Sequence, residues 1–371
     1  LGPGPTGLFA GAGLDLLPGA FFEPDLPADG KRSARLVAAM RSLPMFVGVG
    51  VRPKGSFILR ERWIAGPGAW AWVSPSDGRP LRTVTLGPSL RSGRSDLISL
   101  SRSAIARHLR PFPASAPPPP RVARGTLMLG GGGALPVEVF ERFIEAAGGV
   151  DEPIVYIPCA YEETIGEEPG FVRVLKAHGA RRVSWIHTKD RSRADADEQL
   201  LGALRLARGI WFGGGRQWNF VDSYQHTEAH RLMHAVLARG GVIAGSSAGA
   251  SIQSDYMARG DPLGNRDIMA EGYEEGLGFL TGVAVDQHFT QRGRMPDLQS
   301  LVRTWPQYLG IGLDEGSVLV VRGSIGEVLG ADVHILDARG MGPAENAVPV
   351  HTLLRPGDRF QLAERKKVES H

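Results

Sequence analysis

The sequence predicts an α/β fold in which a mainly parallel sheet carries helices on both faces. After residue 125, short β-branched segments alternate with helical patterns, and glycine-rich turns follow several of the predicted strands. This alternation is typical of parallel sheets, because each crossover connection packs a helix against one face. Ligands of such folds bind at the carboxyl ends of the strands, so we expect the functional site at that edge.

The predicted elements follow one another in a regular order. The first strand, GTLMLGGGG, ends in Gly130–Gly133, and the last, GGVIAG, enters the small-residue turn Gly245–Gly249. The other predicted strands are PIVYIP at 153–158, RVSWIHT at 182–188 and ARGIWFGGG at 207–215; the predicted helices are PVEVFERFIEAAGG at 136–149, FVRVLKAHGA at 171–180 and a helix through His234–Ala238. Two glycine turns, Gly213–Gly215 and Gly245–Gly249, therefore lie at the carboxyl ends of strands.

A proline-rich segment divides the chain. The sequence FPASAPPPPRVARG, from Phe112 to Gly125, contains Pro117–Pro120 in a row. Consecutive prolines favour an extended polyproline conformation and exclude a helix. We therefore expect a linker at 112–124, between an N-terminal region at 1–111 and a second domain at 125–371.

An internal repeat relates the two regions. Three segments match in the same order: GAGLDLLPGAFFEPDL with EGLGFLTGVAVDQHF, SLPMFVGVGVRPKGSFILR with TWPQYLGIGLDEGSVLVVR, and VTLGPSLRSGRSDLISL with VPVHTLLRPGDRFQLAE. The alternative is coincidence between glycine-rich β segments. The repeat predicts that residues 1–111 are a degenerate copy of the second half of a domain whose complete copy follows the linker. The matching first half is expected upstream of Leu1.

Composition and charge exclude several classes of protein. Of the 371 residues 42% are hydrophobic and 22% charged, with a net charge of +3, so we expect a globular protein that does not bind nucleic acid. No apolar run reaches the roughly 20 residues of a membrane span. The single cysteine, Cys159, excludes an internal disulfide. Because the chain begins at Leu1 rather than methionine, we expect it to be a piece of a longer chain, and we favour a cytoplasmic location over secretion.

The segment GGVIAGSSAGASIQ, from Gly240 to Gln253, carries the pattern G-x-S-x-G with Ser247 at its centre. In this arrangement a sharp strand–turn–helix connection displays the serine hydroxyl above the sheet, and small neighbours prevent clashes. The amide of Ala248 then lies at a helix N-terminus and can donate to a developing oxyanion. A serine-rich helix cap would give the same letters, so this segment alone leaves both interpretations open.

Two later segments offer a base and an acid for this serine. His288 ends a predicted strand in VAVDQHFTQRGRMPDL, among an acid, two glutamines and two arginines that are costly to gather without purpose. Asp314 and Glu315 follow another strand in LGIGLDEGSVLVV, where a carboxylate would orient the imidazole and stabilise its cation. A hydrogen-bonded core histidine and an ordinary Asp-Glu-Gly turn are the alternatives.

Together with WFGGGRQW, these segments resemble the cyanophycinase and peptidase E group of serine exopeptidases, peptidase family S51. The resemblance covers roughly residues 125–337. It implies a class I glutamine-amidotransferase-like, flavodoxin-like fold in which a serine replaces the usual cysteine. It also implies a catalytic triad of Ser247 as nucleophile, His288 as base and Glu315 as the acid that orients the base. A glutamine amidotransferase would need a cysteine where Ser247 stands.

The resemblance further implies an oxyanion site and a set of substrate ligands. The backbone amides of Gly215 and Ala248 would bind the oxyanion. The implied substrate-binding residues are Gln217, Asp286, Gln287, Arg292 and Arg294. Arginines suit a substrate carboxylate and Asp286 suits an ammonium or guanidinium group. The chain departs from the family pattern at Arg216, where aspartate is usual, and this adds a cation at the mouth of the site.

The first region lacks the residues of this triad. It has Glu23-Pro24-Asp25 where the second has Asp286-Gln287-His288, and Arg52-Pro53-Lys54 where the second has Asp314-Glu315. We therefore expect residues 1–111 to be non-catalytic and to act as an internal packing partner. A homodimer, the assembly that the resemblance implies, is the alternative.

The sequence therefore predicts a serine exopeptidase that hydrolyses a β-aspartyl amide such as the β-Asp-Arg unit of cyanophycin. The alternatives are an α-aspartyl dipeptidase like peptidase E and, from another class, a non-catalytic binding or scaffold protein. We expect no cofactor and no metal.

Three further features have two interpretations each. His226, His230 and His234 share a predicted helix face at a spacing that can bind zinc, but no glutamate base or further ligand accompanies them, so we favour a polar helix face. Gly130–Gly133 is expected to be a tight turn lining the cleft rather than a phosphate cradle. Cys159 lacks a neighbouring base in the sequence, so we expect a buried core cysteine.

Overall fold

The computed structural model describes residues 19–24, 33–76, 79–109, 116–161, 165, 167–341 and 348–369. The chain divides into two compact units. The first holds the described residues before 110 together with Pro262–Gly264 and Glu271–Tyr273, and the second holds the described residues from 116 onward apart from those two segments. The division falls within the segment predicted as a linker, of which 112–115 lie outside the described residues.

The first unit is built around a small mixed sheet. Its strands are β1 (Ala20–Glu23), β2 (Val47–Val51), β3 (Ile58–Arg60), β4 (Trp63–Ala65), β5 (Ala69–Val73), β6 (Arg82–Thr85) and β7 (Ser95–Asp96), and its helices are α1 (Ser33–Ser42) and α2 (Leu97–Leu109). The sheet has the order β1-β2-β5-β6, and β3-β4-β7 form a smaller one. Val47, Val49, Ala71 and Leu100 belong to its apolar core.

The second unit contains the predicted alternation of strands and helices. Its strands are β8 (Val122–Gly130), β9 (Pro153–Ile157), β10 (Arg182–Trp185), β11 (Gly209–Phe212), β12 (Val242–Ser246), β13 (Ser254–Tyr256), β14 (Leu280–Gln287), β15 (Leu309–Leu313), β16 (Val318–Gly323), β17 (Ile325–Leu329), β18 (Val333–Asp337), β19 (Val350–Leu354), β20 (Arg359–Gln361) and β21 (Lys366–Lys367). Its helices are α3 (Val137–Ala147), α4 (Gly170–Ala177), α5 (Arg191–Ala196), α6 (Glu198–Leu206), α7 (Trp218–Tyr224), α8 (Glu228–Ala238), α9 (Ala248–Ser251) and α10 (Met295–Thr304), with a 3₁₀ turn at Thr290–Arg292. None of the described helices is long and apolar enough to cross a membrane.

The α/β class is confirmed, but the sheets are mixed rather than mainly parallel. In the larger sheet, β10-β9-β11-β12-β8 are parallel and β16-β17-β20-β21 continue it antiparallel. A second sheet has the order β13-β14-β15-β18-β19. The difference has a simple cause: a single residue, Ser324, separates β16 from β17, and a connection this short allows only an antiparallel hairpin.

Helix α3 illustrates how the larger sheet is covered. Its buried residues recur at the spacing of one helix face and are Val139, Phe140, Phe143, Ile144 and Ala147. Phe143 contacts Trp211 of β11 edge to face, with 5.0 Å between the ring centroids. Gly148 ends the helix in the left-handed region at φ 109°. Apolar packing of this kind fixes the strands whose carboxyl ends carry the site.

The two units share a pattern of strand pairing. In the first unit β1 pairs parallel with β2, and β2-β5-β6 continue antiparallel. In the second unit β14 pairs parallel with β15, and β15-β18-β19 continue antiparallel. The matched sequence segments place β1 on β14 and β2 on β15. This correspondence supports the predicted half-copy, although Asp25 of the compared motif lies outside the described residues.

Candidate active site

The predicted nucleophile lies on a sharp turn between β12 and α9. Ser247 has φ 57° and ψ −117°, an unfavourable conformation for a residue with a side chain. The glycines on either side are required by close packing: a Cβ atom on Gly245 would lie 2.2 Å from the carbonyl oxygen of Gly249, and one on Gly249 would lie 2.2 Å from that of Phe212. The strained turn displays the Ser247 hydroxyl, as the G-x-S-x-G pattern predicts.

The structure brings the predicted base and acid to this hydroxyl. His288 Nε2 lies 2.9 Å from Ser247 Oγ, and His288 Nδ1 lies 2.6 Å from Glu315 Oε1. His288 directly follows β14 and Glu315 lies two residues after β15, so both come from the carboxyl ends of paired parallel strands. A carboxylate at Nδ1 favours the tautomer with its proton there, which leaves Nε2 to accept the serine proton.

The environment of His288 keeps its imidazole neutral near pH 7. Burial lowers the pKa of His288 below the ordinary histidine value, and the charges of Arg292 and Arg294 lower it further, while the hydrogen bond and charge of Glu315 oppose them. A neutral imidazole is the state that a general base requires.

The turn Gly130–Gly133 forms backbone hydrogen bonds with the segments that carry Ser247, His288 and Glu315. Gly130 O accepts a hydrogen bond from Ser247 N at 2.9 Å, Gly131 O accepts one from His288 N at 2.8 Å, and Gly132 O accepts one from Gly316 N at 2.8 Å. Gly132 lies against the base, because a Cβ atom there would be 2.3 Å from His288 Cε1. The turn thus has the arrangement expected of a tight turn lining the cleft.

The two residues predicted to bind an oxyanion through their backbone amides, Gly215 and Ala248, both lie near Ser247. Ala248 is the first residue of α9, and amides at this position have no partner in a preceding helical turn. Gly215 is exposed at φ 134°, in a loop where a Cβ atom on Gly214 would contact Ser247 Cβ at 3.6 Å. The structure therefore brings the loop of Gly215 beside the nucleophile.

The predicted substrate ligands separate into buried and exposed groups. Arg292 is exposed next to the base, as a ligand would be. Gln217, Gln287 and Arg294 are each at most 4% exposed. Gln217 Nε2 donates to the carbonyl of Ala258 at 2.6 Å, and Arg294 donates to the Gln287 side chain at 2.9 Å.

Asp286 differs most from its predicted role. Its side chain is fully buried, and its carboxylate accepts hydrogen bonds from Arg259 Nε at 2.9 Å and Arg294 Nη1 at 2.8 Å. A carboxylate held by two guanidinium groups of its own chain does not meet a substrate ammonium. Sequence reasoning missed Arg259, because it lies 27 residues before Asp286 in a segment without periodicity or motif.

The other polar clusters have structural partners. His226 precedes helix α8, whose N-cap is Thr227, so the three histidines do not share one helix. His230 Nδ1 accepts a hydrogen bond from His226 N at 3.1 Å, so its Nε2 carries the proton and donates to Leu277 O at 2.9 Å. Such a nitrogen is not a metal ligand. Among the described residues, no group of three or more histidine, cysteine, aspartate or glutamate side chains could hold a metal ion.

Cys159 is fully buried. Its thiol donates to Thr188 O at 3.0 Å, and burial raises the pKa of Cys159. These observations agree with the expected core cysteine.

A hydroxyl, an imidazole and a carboxylate joined by hydrogen bonds at the strand ends of an α/β fold define a hydrolase of the serine type. The chain belongs to peptidase family S51, whose sequence model matches residues 127–329. It is accordingly a serine-type peptidase.

Two cyanophycinases and one solved peptidase structure are similar to this chain. The cyanophycinase of Trichormus variabilis is 31% identical in an alignment of 246 positions, and the match covers 62% of this chain and 81% of that protein. The cyanophycinase of Geminocystis herdmanii is 30% identical in an alignment of 240 positions, and the match covers 60% of this chain and 87% of that protein. A crystal structure of a peptidase from an acI-B1 actinobacterium is 24% identical, with a TM-score of 0.48, and covers 64% of this chain and 97% of its own.

Gly132→Ala should abolish most of the peptidase activity. The added Cβ would displace His288, and a displacement near 1 Å costs about 10²-fold in rate. Gly323→Ala is the matched control, because Gly323 also has a positive φ of 59° but its added Cβ meets nothing within 4 Å. The measurement is kcat/KM, with thermal melting of both variants. Equal losses of activity in the two would contradict the contact between Gly132 and the base.

Arg292→Gln should shift the acidic limb of the pH profile of kcat/KM to higher pH. The Arg292 charge lowers the pKa of His288, so its removal lets the imidazole take up a proton at a higher pH and lose its basic function. Arg303→Gln, an exposed arginine on α10, removes the same charge as a control. An unchanged limb in Arg292→Gln, or an equal shift in both variants, would show that Arg292 does not act on the base.

Proposed function

We propose that the chain is a serine exopeptidase that hydrolyses a β-aspartyl amide of the β-Asp-Arg kind, through Ser247, His288 and Glu315. The observation that carries this proposal is the hydrogen-bonded chain from hydroxyl to imidazole to carboxylate, with distances of 2.9 and 2.6 Å. The similarity to cyanophycinases supports the β-aspartyl substrate.

The proposed mechanism is acyl transfer. His288 Nε2 takes the proton of Ser247 as the hydroxyl oxygen attacks the amide carbonyl, and the amides of Gly215 and Ala248 stabilise the oxyanion. His288 then gives this proton to the leaving amine, and the C–N bond breaks to leave an acyl-enzyme. Water, deprotonated by His288, attacks the ester, and His288 returns this proton to the Ser247 oxygen as the ester bond breaks and the acid leaves. Glu315 holds the imidazole in the required tautomer and stabilises its cation.

Two exposed cations support a substrate with a carboxylate close to the scissile bond. Arg216 and Arg292 are exposed, and neither side chain has a carboxylate partner among the described residues. An unpaired guanidinium suits a substrate carboxylate. A β-aspartyl unit carries its α-carboxylate next to the scissile amide, and an α-aspartyl unit carries its side-chain carboxylate there.

An α-aspartyl dipeptidase is the second candidate. The burial of Asp286 favours it, because this carboxylate was the expected partner for the arginine of a β-Asp-Arg substrate. Arg216 adds a cation where such an arginine would approach. Hydrolysis of both substrate classes therefore has to be measured side by side.

We assign no catalysis to the first unit. The strand β1 ends in Glu23, and Arg52-Pro53-Lys54 follow β2, so the positions that match His288 and Glu315 carry no imidazole–carboxylate pair. The shared order of strand pairing supports its origin as a half-copy.

Ser247→Ala should lower the release of free arginine from β-Asp-Arg units by roughly 10⁴-fold or more, since loss of a triad nucleophile removes the covalent route. Ser246→Ala is the matched control, because it removes the neighbouring hydroxyl that ends β12 and is not a member of the proposed triad. Arginine release from cyanophycin, followed by chromatography, and hydrolysis of α-Asp-Leu are measured in parallel.

Four results would separate the candidates. Release from cyanophycin that depends on Ser247 supports the β-aspartyl proposal, and hydrolysis of α-Asp-Leu alone supports the second candidate. Equal activity of the wild type and Ser247→Ala would refute the nucleophile. A folded wild type that acts on neither substrate would favour a non-catalytic binding or scaffold protein.

A further inference from the structure

Arg259 is a buried arginine in the segment that follows β13. It is 4% exposed and has φ 58°, which is strained for a residue with a side chain. Its guanidinium spans several partners: Nη2 donates to Asp286 at 2.9 Å and to Asp297 at 2.7 Å, and Nη1 donates to the carbonyl of Asn265 at 3.0 Å. A side chain held in this way fixes both its own segment and the groups that it binds.

Ala258, the residue before Arg259, contacts the segment that follows the Gly215 loop. Ala258 O accepts a hydrogen bond from Gln217 Nε2 at 2.6 Å. Gln217 is the N-cap of α7 and follows Gly215 by two residues. Asp286, the partner of Arg259, precedes His288 by two residues. The dipeptide Ala258-Arg259 therefore connects the loop of the proposed oxyanion amide to the strand that carries the proposed base.

We infer that Arg259 is a positioning residue for the proposed hydrolysis, holding the His288 strand in register with the Gly215 loop through Asp286 and Ala258. This inference rests on the proposed function. Arg259 touches none of the three triad side chains, so its effect is transmitted through the residues that it binds.

Two physical arguments support this role. Ser247 at φ 57° and His288 at φ 48° are both strained, and strained residues persist only where their surroundings over-determine them. The hydrogen bonds of Ala258 with Gln217 and of Arg259 with Asp286 supply that constraint. The second argument is electrostatic: Asp286 is fully buried, and a buried carboxylate that loses one of its two guanidinium partners is poorly compensated.

The chain supplies a closely matched control in Arg365. It also has φ 58°, and its guanidinium also binds one aspartate, Asp337, and backbone carbonyls, those of Pro306 and Gln307. Its side chain is 5% exposed. These partners lie at the amino-terminal end of β15, which is the end opposite to Glu315.

The test compares Arg259→Gln, Arg259→Lys and Arg365→Gln with the wild type and Ser247→Ala. The substrate is cyanophycin, or α-Asp-Leu if the wild type hydrolyses that instead. Arg259→Gln should lower kcat by about 10²-fold with little change in KM. It should also move the acidic limb of the pH profile upward, because it leaves an uncompensated negative charge close to His288. Arg259→Lys restores the cation and should return the limb toward its original position.

Thermal melting separates positioning from a general loss of stability. Arg365→Gln should lower the melting temperature to a similar degree and keep its kcat and pH profile. A folded Arg259→Gln variant with wild-type kcat and pH profile would overturn the inference and leave the proposed function intact. A loss of kcat in Arg365→Gln that matches that of Arg259→Gln would overturn it as well. Activity that survives in Ser247→Ala would refute the proposed function, and the positioning role with it.

Discussion

The geometry of the site depends on the backbone of one turn. The carbonyls of Gly130, Gly131 and Gly132 bind the amides of Ser247, His288 and Gly316, which lie in the segments of the nucleophile, the base and the acid. Each of these segments lies more than a hundred residues after the turn in the sequence, so no local interaction could align them with it. A side chain at Gly132 would occupy the space of the imidazole, and one at Gly131 would meet the carbonyl oxygen of Asp314, so glycine is required there by its small size as much as by its conformational freedom.

A cluster of charged side chains lies next to the strand that carries His288. Arg259 and Arg294 share the carboxylate of Asp286, and Asp297 binds Arg259 from its other side. The Asp297 side chain is 47% exposed, whereas the other three groups are buried, and pairing with opposite charges makes their burial tolerable. Exposed Arg292 and Arg216 are the side chains that we propose to bind the substrate. The arginines near the site thus separate into those that organise the protein and those that are free to bind a ligand.

The sequence predicted the parts of the structure that local patterns encode. The strands that end in glycine turns are present, and the G-x-S-x-G pattern led to Ser247 because its small residues have a steric cause. The burial of Asp286 was not predictable. An alternating strand with a polar end has the same sequence whether its carboxylate faces the cleft or a buried guanidinium group. Arg259 was missed for a related reason: its partners come from distant segments, and long-range pairing leaves no periodic signal in one sequence. The antiparallel strands of the sheets were also missed, because they follow from short connections such as the single residue between β16 and β17.

The pairing order shared by β1-β2-β5-β6 and β14-β15-β18-β19 has a consequence for folding. Among the described residues of the first unit, this order occurs with an apolar core of its own and without a run of parallel strands like β8 to β12. We therefore expect the corresponding strands of the second unit to open and close as a block, which would be visible as a common rate of amide hydrogen exchange. His288 and Glu315 belong to that block, whereas Ser247 follows a strand of the other sheet. Local opening would thus separate the base from the nucleophile before the protein unfolds.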